Sequence, residues 1–135
     1  MRSLFPAALV FALVAGCSGD DDDDDGPDAG TFAITIGCTG PACGLSGAMK
    51  IPIHEDDCLV APLLTITLPA VTTSAGDPVV ETLNLERRPY CIEAWLDVDT
   101  DGTLSSGDAI DSVGGIIATP AVDTPLLFTL DALEP

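Results

Sequence analysis

Short apolar rows with a period of two constrain the fold of this chain more than any other feature of its sequence. Phe32, Ile34 and Ile36 alternate with Ala33 and Thr35. Similar rows recur later, over residues 49–53, 64–68, 83–85, 90–96 and 126–130. Successive side chains of a strand point to opposite faces, so each row gives a strand one apolar face that other strands must cover. We therefore predict an all-β, two-sheet sandwich of about seven short antiparallel strands.

The sandwich is predicted to occupy residues 31–135 as a single domain, because this length suits one hydrophobic core and shows no internal repeat. Gly-Pro, Gly-Asp-Pro and Asp-Gly pairs punctuate the apolar rows as turns do. Pro52 interrupts the row at 49–53, and proline cannot donate to a sheet ladder. We therefore expect an edge strand or a bulge there.

The cysteines indicate an oxidising compartment. Of the five in the chain, Cys17 belongs to the N-terminal segment described below, which leaves an even set in the domain: Cys38, Cys43, Cys58 and Cys91. Four cysteines allow three pairings of two disulfides. Cys38 and Cys43 flank the turn-like Thr-Gly-Pro-Ala, which favours Cys38–Cys43 with Cys58–Cys91. A zinc site made of all four is the alternative, but no C-x2-C spacing favours it.

The N-terminus is typical of an exported protein. A short basic start is followed by an apolar run from Leu4 to Val14, which is too short to span a bilayer and suits a signal peptide. Val14-Ala15-Gly16-Cys17 resembles the bacterial lipobox, in which cleavage before the cysteine exposes a thiol that receives a lipid. The resemblance implies a signal peptide at 1–16 and a lipidated Cys17. An ordinary secretory signal with a chance cysteine is the alternative.

Residues 17–30 are predicted to form a disordered tether, because the block Asp20 to Asp25 repels itself and cannot be buried. Cleavage at Cys17 would leave 22 acidic residues balanced only by Lys50, Arg87 and Arg88. Such an acidic surface argues against nucleic acid or anionic lipid as a partner.

The segment from Asp97 to Asp108 carries the clearest chemical signal. Its carboxylates at positions 1, 3, 5 and 12 and its glycine at position 6 match the calcium loop of an EF-hand. The predicted Ca²⁺ ligands are Asp97, Asp99, Asp101, Thr103 through its carbonyl, Ser105 through water, and Asp108. Asp at position 12 is shorter than the usual Glu, which predicts weak binding. Because strand-like rows flank the segment, the loop should join two strands and not two helices. A polar turn without an ion is the alternative.

Thr82-Leu-Asn-Leu85, a turn, and Tyr90-Cys-Ile-Glu-Ala-Trp-Leu-Asp97 with its Asp-Gly loop resemble a pattern of transthyretin-like sandwiches, also called prealbumin-like or carboxypeptidase regulatory-type. These domains recur in bacterial envelope lipoproteins. The resemblance extends more loosely from Gly47 to Leu130, although Glu86-Arg-Arg-Pro89 replaces the usual Pro-Gly turn of the hairpin. It implies a transthyretin- or Ig-like sandwich with a non-enzymatic, adhesive or accessory role.

Catalytic groups are sparse in this sequence. His54 is the single histidine and lies beside Glu55 and Asp57 in a polar segment, with no nucleophile elbow in the chain. Together the three could hold a transition metal, although one imidazole is a weak signal. Glu93 and Asp97 would lie roughly 13 Å apart along a strand, too far for a glycosidase pair.

We therefore expect a non-enzymatic, lipid-anchored envelope module with a Ca²⁺-stabilised loop, monomeric, with an unidentified protein or glycan ligand. A small hydrolase, or an accessory or inhibitor protein, is the alternative. An exposed Trp95 would indicate sugar or peptide contact. Ser18 follows Cys17, whereas an aspartate there retains some bacterial lipoproteins at the inner membrane, so the outer membrane is favoured.

Overall fold

The computed structural model describes residues 29–135, and this part of the chain is almost entirely β-structure. The predicted signal peptide, Cys17 and the aspartate block lie outside the described residues. Within residues 29–135 one 3-10 turn is present, at Gly40–Ala42. The strands are β1 Ala29–Cys38, β2 Ser46–Glu55, β3 Leu64–Thr72, β4 Val79–Glu86, β5 Tyr90–Ile92, β6 Trp95–Asp97, β7 Ala109–Ile110, β8 Ile116–Ala118, β9 Thr124–Leu130 and β10 Ala132–Leu133.

The strands form two sheets, which confirms the predicted sandwich. The smaller sheet has the order β4-β1-β9. In the larger sheet β2 is central: β3 pairs along one edge, and β5 and β6 follow each other along the other. Beyond them lie β8, next to β5, and β7 with β10, next to β6. Every pairing between these strands is antiparallel except that of β1 with β9, which is parallel.

The core lies between the sheets and is filled mainly by four of the six alternating rows that the sequence analysis identified, while the rows at 64–68 and 83–85 are only partly buried against it. The rows beginning at Phe32, Met49, Tyr90 and Leu126 are buried on their inner faces. The Phe32 and Tyr90 rings meet edge to face, with centroids 6.4 Å apart, and so join the two sheets.

The prediction of an edge strand at Pro52 is wrong, because β2 has partners on both sides. Pro52 is tolerated because its nitrogen faces the break between β5 and β6, where no ladder bond is required. Its carbonyl still accepts a hydrogen bond from Glu93 N, at 3.1 Å. The alternative expectation, a bulge at Pro52, is also wrong, because the β2–β3 register runs unbroken from Met49 to Ile53; the register shift of β2 lies between Gly47 and Met49.

Two predicted boundaries also differ from the structure. β1 begins at Ala29, before the predicted domain start at residue 31, and Gly30 is buried in close contact with Pro120. Residues 86–89 do not close a hairpin: β4 belongs to the small sheet and β5 to the large one, so this segment crosses between the layers.

Both disulfides have the favoured pairing, Cys38–Cys43 and Cys58–Cys91. The first closes the short turn after β1. The second joins the connection between β2 and β3 to β5. Among the described residues, no helix is long and apolar enough to cross a membrane.

We expect the second disulfide to contribute more stability, because it closes a span of 33 residues against 5 for the first. Loop-closure entropy alone gives about 4 kcal/mol for Cys58–Cys91 and about 2 kcal/mol for Cys38–Cys43. Urea denaturation of the two double Cys→Ala variants measures the difference. A greater loss from the Cys38/Cys43 variant would contradict this expectation.

Candidate functional site

The Asp-rich loop lies between two paired strands, as the sequence predicts. β6 ends at Asp97, β7 begins at Ala109, and Leu96 pairs with Ala109 across the antiparallel ladder. This pairing brings Asp97 and Asp108, the first and last residues of the segment, together at the base of the loop. Both carboxylates are buried, with 1% of each residue exposed.

Gly47 fixes the position of Asp97 from the neighbouring strand. It lies at the bulge in β2, where the chain passes so close to β6 that a Cβ atom would collide with the Asp97 carbonyl and lie 2.9 Å from the Val98 Cα. Only glycine allows this approach. The bulge therefore fixes where β6 ends and the Asp-rich loop begins.

Three carboxylates converge at the base of the loop. Oxygens of Asp97, Asp99 and Asp108 all lie within 4.8 Å of one another. Asp108 accepts hydrogen bonds from Val98 N at 2.8 Å and Ser105 N at 2.9 Å. These bonds hold the carboxylate in place. Oδ2 also accepts a hydrogen bond from the Ser105 hydroxyl at 3.4 Å, whereas Oδ1 keeps a second lone pair for another partner.

Asp97 has one satisfied oxygen and one unsatisfied one. Its Oδ2 accepts a hydrogen bond from Gly102 N at 2.9 Å. Gly102 has a φ of +84°, which turns the chain back over the cluster. The Oδ1 of Asp97 is buried and has no hydrogen-bond partner among residues 29–135. A buried polar atom without a partner is costly, so this oxygen indicates a group that would satisfy it.

The remaining predicted ligands lie towards the exposed side of the loop. The Ser105 hydroxyl lies 3.3 Å from Asp99 Oδ2 and 3.4 Å from Asp108 Oδ2, at the edge of the cluster. Asp101 is not part of the carboxylate group. Its Oδ1 accepts hydrogen bonds from the backbone and the hydroxyl of Thr103, and these lower the pKa of Asp101. The structure thus brings together three of the four predicted carboxylates, with Ser105 beside them.

His54 does not join the residues suggested for a second metal site. Its Nδ1 lies 2.6 Å from the Val60 carbonyl and its Nε2 lies 3.1 Å from Glu93. Glu55 pairs with Arg88, and Asp57 accepts a hydrogen bond from Leu59 N. Cys58 lies near His54 and Glu93, but its sulfur is bonded to Cys91 and cannot act as a thiolate ligand.

The sequence analysis missed a cavity of about 330 Å³ on the outer face of the large sheet. Trp95, which is half-buried, lies in its wall beside Glu93 and next to its strand partner Ile110. The complete lining is Glu93, Ala94, Trp95, Leu104, Ile110, Asp111, Gly114 and Glu134. We call this cavity the Trp95 pocket. No local motif could have revealed it, because its walls come from four separate segments of the chain.

Two aspartates, Asp111 itself and Asp131, hold in place the wall of the pocket that contains Asp111 and Gly114. Asp111 accepts hydrogen bonds from Val113 N and Thr129 N, each at 2.9 Å. Asp131 accepts two from Ser112, through the hydroxyl at 2.7 Å and the backbone at 2.8 Å, and these lower the pKa of Asp131. Asp111 and Asp131 therefore act as fixed structural acceptors.

Comparison with protein-family models, curated proteins and solved structures finds no match to this chain. The function is therefore argued from the geometry of the domain and from its sequence motifs.

Replacing Gly47 with Ala is expected to destabilise the domain by about 1–3 kcal/mol, because the new methyl group must displace the end of β6. Gly37→Ala is the matched control, since a Cβ at Gly37 meets nothing within 4 Å. Chemical denaturation of both variants makes the comparison. Equal stabilities would show that the bulge does not fix the end of β6.

Proposed function

We propose that this chain is a lipid-anchored, non-catalytic binding or structural module of the bacterial envelope whose Asp-rich loop binds Ca²⁺. The observation that carries the calcium proposal is the Oδ1 atom of Asp97, which is buried without a partner in the described part of the chain and lies in a group with Asp99 and Asp108. The cation would give this oxygen a partner and offset the repulsion among the three carboxylates.

Calcium suits the cluster better than the other common protein metals. Its preferred ligands are carboxylate, carbonyl and water oxygens, in a flexible shell of six to eight. The cluster offers carboxylates, the Ser105 hydroxyl and an open side at the exposed Asp99. It contains no imidazole or thiolate, which transition metals would favour.

The geometry also supports weak binding. Both Asp108 oxygens already accept backbone hydrogen bonds, and Asp101 is bonded to Thr103. Fewer free carboxylates mean a lower affinity, in the range of about 10⁻⁴ to 10⁻³ M that extracellular calcium modules use.

The anchor and the location are proposed from the N-terminal motif. The lipobox-like Val14-Ala15-Gly16-Cys17, followed by the acidic stretch, supports a lipid on Cys17 and a spacer between membrane and domain. The two disulfides support an oxidising location outside the cytoplasm. Ser18 favours the outer membrane.

A non-catalytic role is supported by the surroundings of His54. This residue is 5% exposed, and both ring nitrogens are within hydrogen-bond distance of fixed acceptors, the Val60 carbonyl and Glu93. The ring therefore links the β2–β3 connection to the residues between β5 and β6, as a structural histidine does. The resemblance to transthyretin-like domains supports the same role, with an unidentified protein or glycan as the ligand.

Calcium at 5 mM is expected to stabilise the full-length chain by about 1–2 kcal/mol relative to EDTA, given the proposed affinity. This corresponds to a rise of several degrees in Tm. Asp97→Asn should remove the calcium-dependent rise. In EDTA the same substitution should leave the Tm unchanged or raise it, because it relieves repulsion in the empty cluster.

Asp123→Asn is the matched control for this experiment. Asp123 lies outside the loop and has a φ of +50°, which Asn also tolerates. The control should retain the full calcium response. The calcium proposal is wrong if the unsubstituted chain shows no shift in Tm, or if Asp97→Asn retains the shift.

Cys17→Ser is expected to release the chain from the membrane fraction of a bacterial host, because no thiol is left to receive the lipid. Fractionation followed by immunoblotting measures the distribution, and metabolic labelling with palmitate should mark only the unsubstituted chain. Cys38→Ser is not a suitable control because it breaks a disulfide, so Ser18→Ala serves instead and should remain in the membrane. Retention of the Cys17→Ser chain would contradict lipid anchoring at this position.

A further inference from the structure

We propose that the Trp95 pocket binds the cationic side chain of a lysine or arginine presented by a partner protein. The inference adds a ligand class to the binding role proposed above, on which it rests. It is carried by the combination of an accessible aromatic ring, carboxylates with free acceptors and a cavity of suitable size.

The size and shape of the pocket suit a single side chain. Its volume of about 330 Å³ is at the lower end of the range for ligand sites. Leu104 and Ile110 supply apolar walls that can cover the methylene stem of a long cationic side chain. Trp95 is half-buried, so part of its ring remains available for contact.

The charges around the pocket fit a cation. Glu93, Asp111 and Glu134 line it, together with no basic residue. Asp111 is engaged by backbone donors, but the side chain of Glu134 makes no hydrogen bond or ion pair with the described residues 29–135. Glu93 uses Oε2 for His54 and keeps Oε1 for another donor. Two carboxylates beside a tryptophan ring form the kind of environment in which cation–π contacts and charged hydrogen bonds act together.

The nearest basic residue across the sheet does not fill this role. Lys50 lies directly opposite Trp95 in the β2–β6 ladder and therefore shares its face. Its ammonium nitrogen, however, lies 3.4 Å from the Thr67 hydroxyl on β3, on the opposite side of β2 from the pocket. Lys50 is therefore engaged on β3 and does not supply a cation to the pocket.

Glu134 is held at the pocket by its backbone and not by its side chain. Its N–H donates to the Asp108 carbonyl at 2.8 Å, and its carbonyl accepts from Gly107 N at 2.9 Å. The carboxylate is thus positioned without being consumed by another contact. This arrangement also makes Glu134 a good site for substitution, because the backbone bonds that support the fold are kept.

The test uses the fluorescence of Trp95, which is the single tryptophan of the chain and therefore reports on the pocket alone. The full-length chain in neutral detergent is titrated with Nα-acetyl-lysine amide and Nα-acetyl-arginine amide. The expected result is a saturable change with a Kd on the order of millimolar for at least one of them. The uncharged Nα-acetyl-norleucine amide should give a response at least several-fold weaker.

Glu134→Gln should weaken binding about two- to fivefold, as expected for a partly exposed charge pair, and Glu134→Lys should abolish it. Glu81→Gln is the matched control, because Glu81 lies in the small sheet and makes no contribution to the pocket. It should leave the titration unchanged.

The proposal is overturned if neither cationic probe gives a saturable change, if the norleucine probe binds equally well, or if Glu134→Gln has no more effect than Glu81→Gln. A response to glucose or N-acetylglucosamine with the cationic probes silent would also overturn it, in favour of a glycan ligand. The titrations are run in 5 mM Ca²⁺ and in EDTA. Probe binding without a calcium-dependent Tm shift would support the pocket and refute the calcium site. A calcium-dependent Tm shift without probe binding would support the calcium site and refute the pocket.

Discussion

The burial of β2 between its two neighbouring strands and beneath the small sheet is the constraint on which the rest of the structure depends. Met49, Ile51 and Ile53 are completely buried on its inner face. Its other residues align three features of the large sheet: Gly47 meets Asp97, Lys50 lies opposite Trp95, and His54 reaches Glu93. A change in the register of β2 would therefore alter the core, the Asp-rich loop and the Trp95 pocket together.

The fold class could be predicted from the sequence, because the alternating apolar residues of its main rows are the residues that the structure buries. The rows at 32–36, 49–53, 90–96 and 126–130 are the rows that fill the core. The missed strands β7, β8 and β10 have only two or three residues, too few to show a period, and they exist because neighbouring strands pair with them. The parallel direction of β1 and β9 was equally inaccessible, since periodicity carries no information about which strands pair or in which direction.

The candidate sites differ in how far local sequence could reveal them. Asp97, Asp99 and Asp108 lie within twelve consecutive residues, and their spacing alone indicated an oxygen-rich cluster. The turning of Asp101 towards Thr103 was not predictable, because it depends on a local hydrogen bond that competes with the cluster. The Trp95 pocket has no local signature, since Glu134 reaches it only through backbone bonds to residues 107 and 108.

The parallel pairing of β1 with β9 has a consequence for the order in which the domain can form. β1 is near the start of the described chain and β9 near its end, with β1 lying between β4 and β9 in the small sheet. While the chain is being synthesised or translocated from its N-terminus, one edge of β1 has no strand partner until residues 124–130 have emerged. Such long-range pairing is intrinsically slow, and the nascent domain passes through a stage with an apolar strand edge open to other chains. Chaperones that bind exposed strand edges would act at this stage.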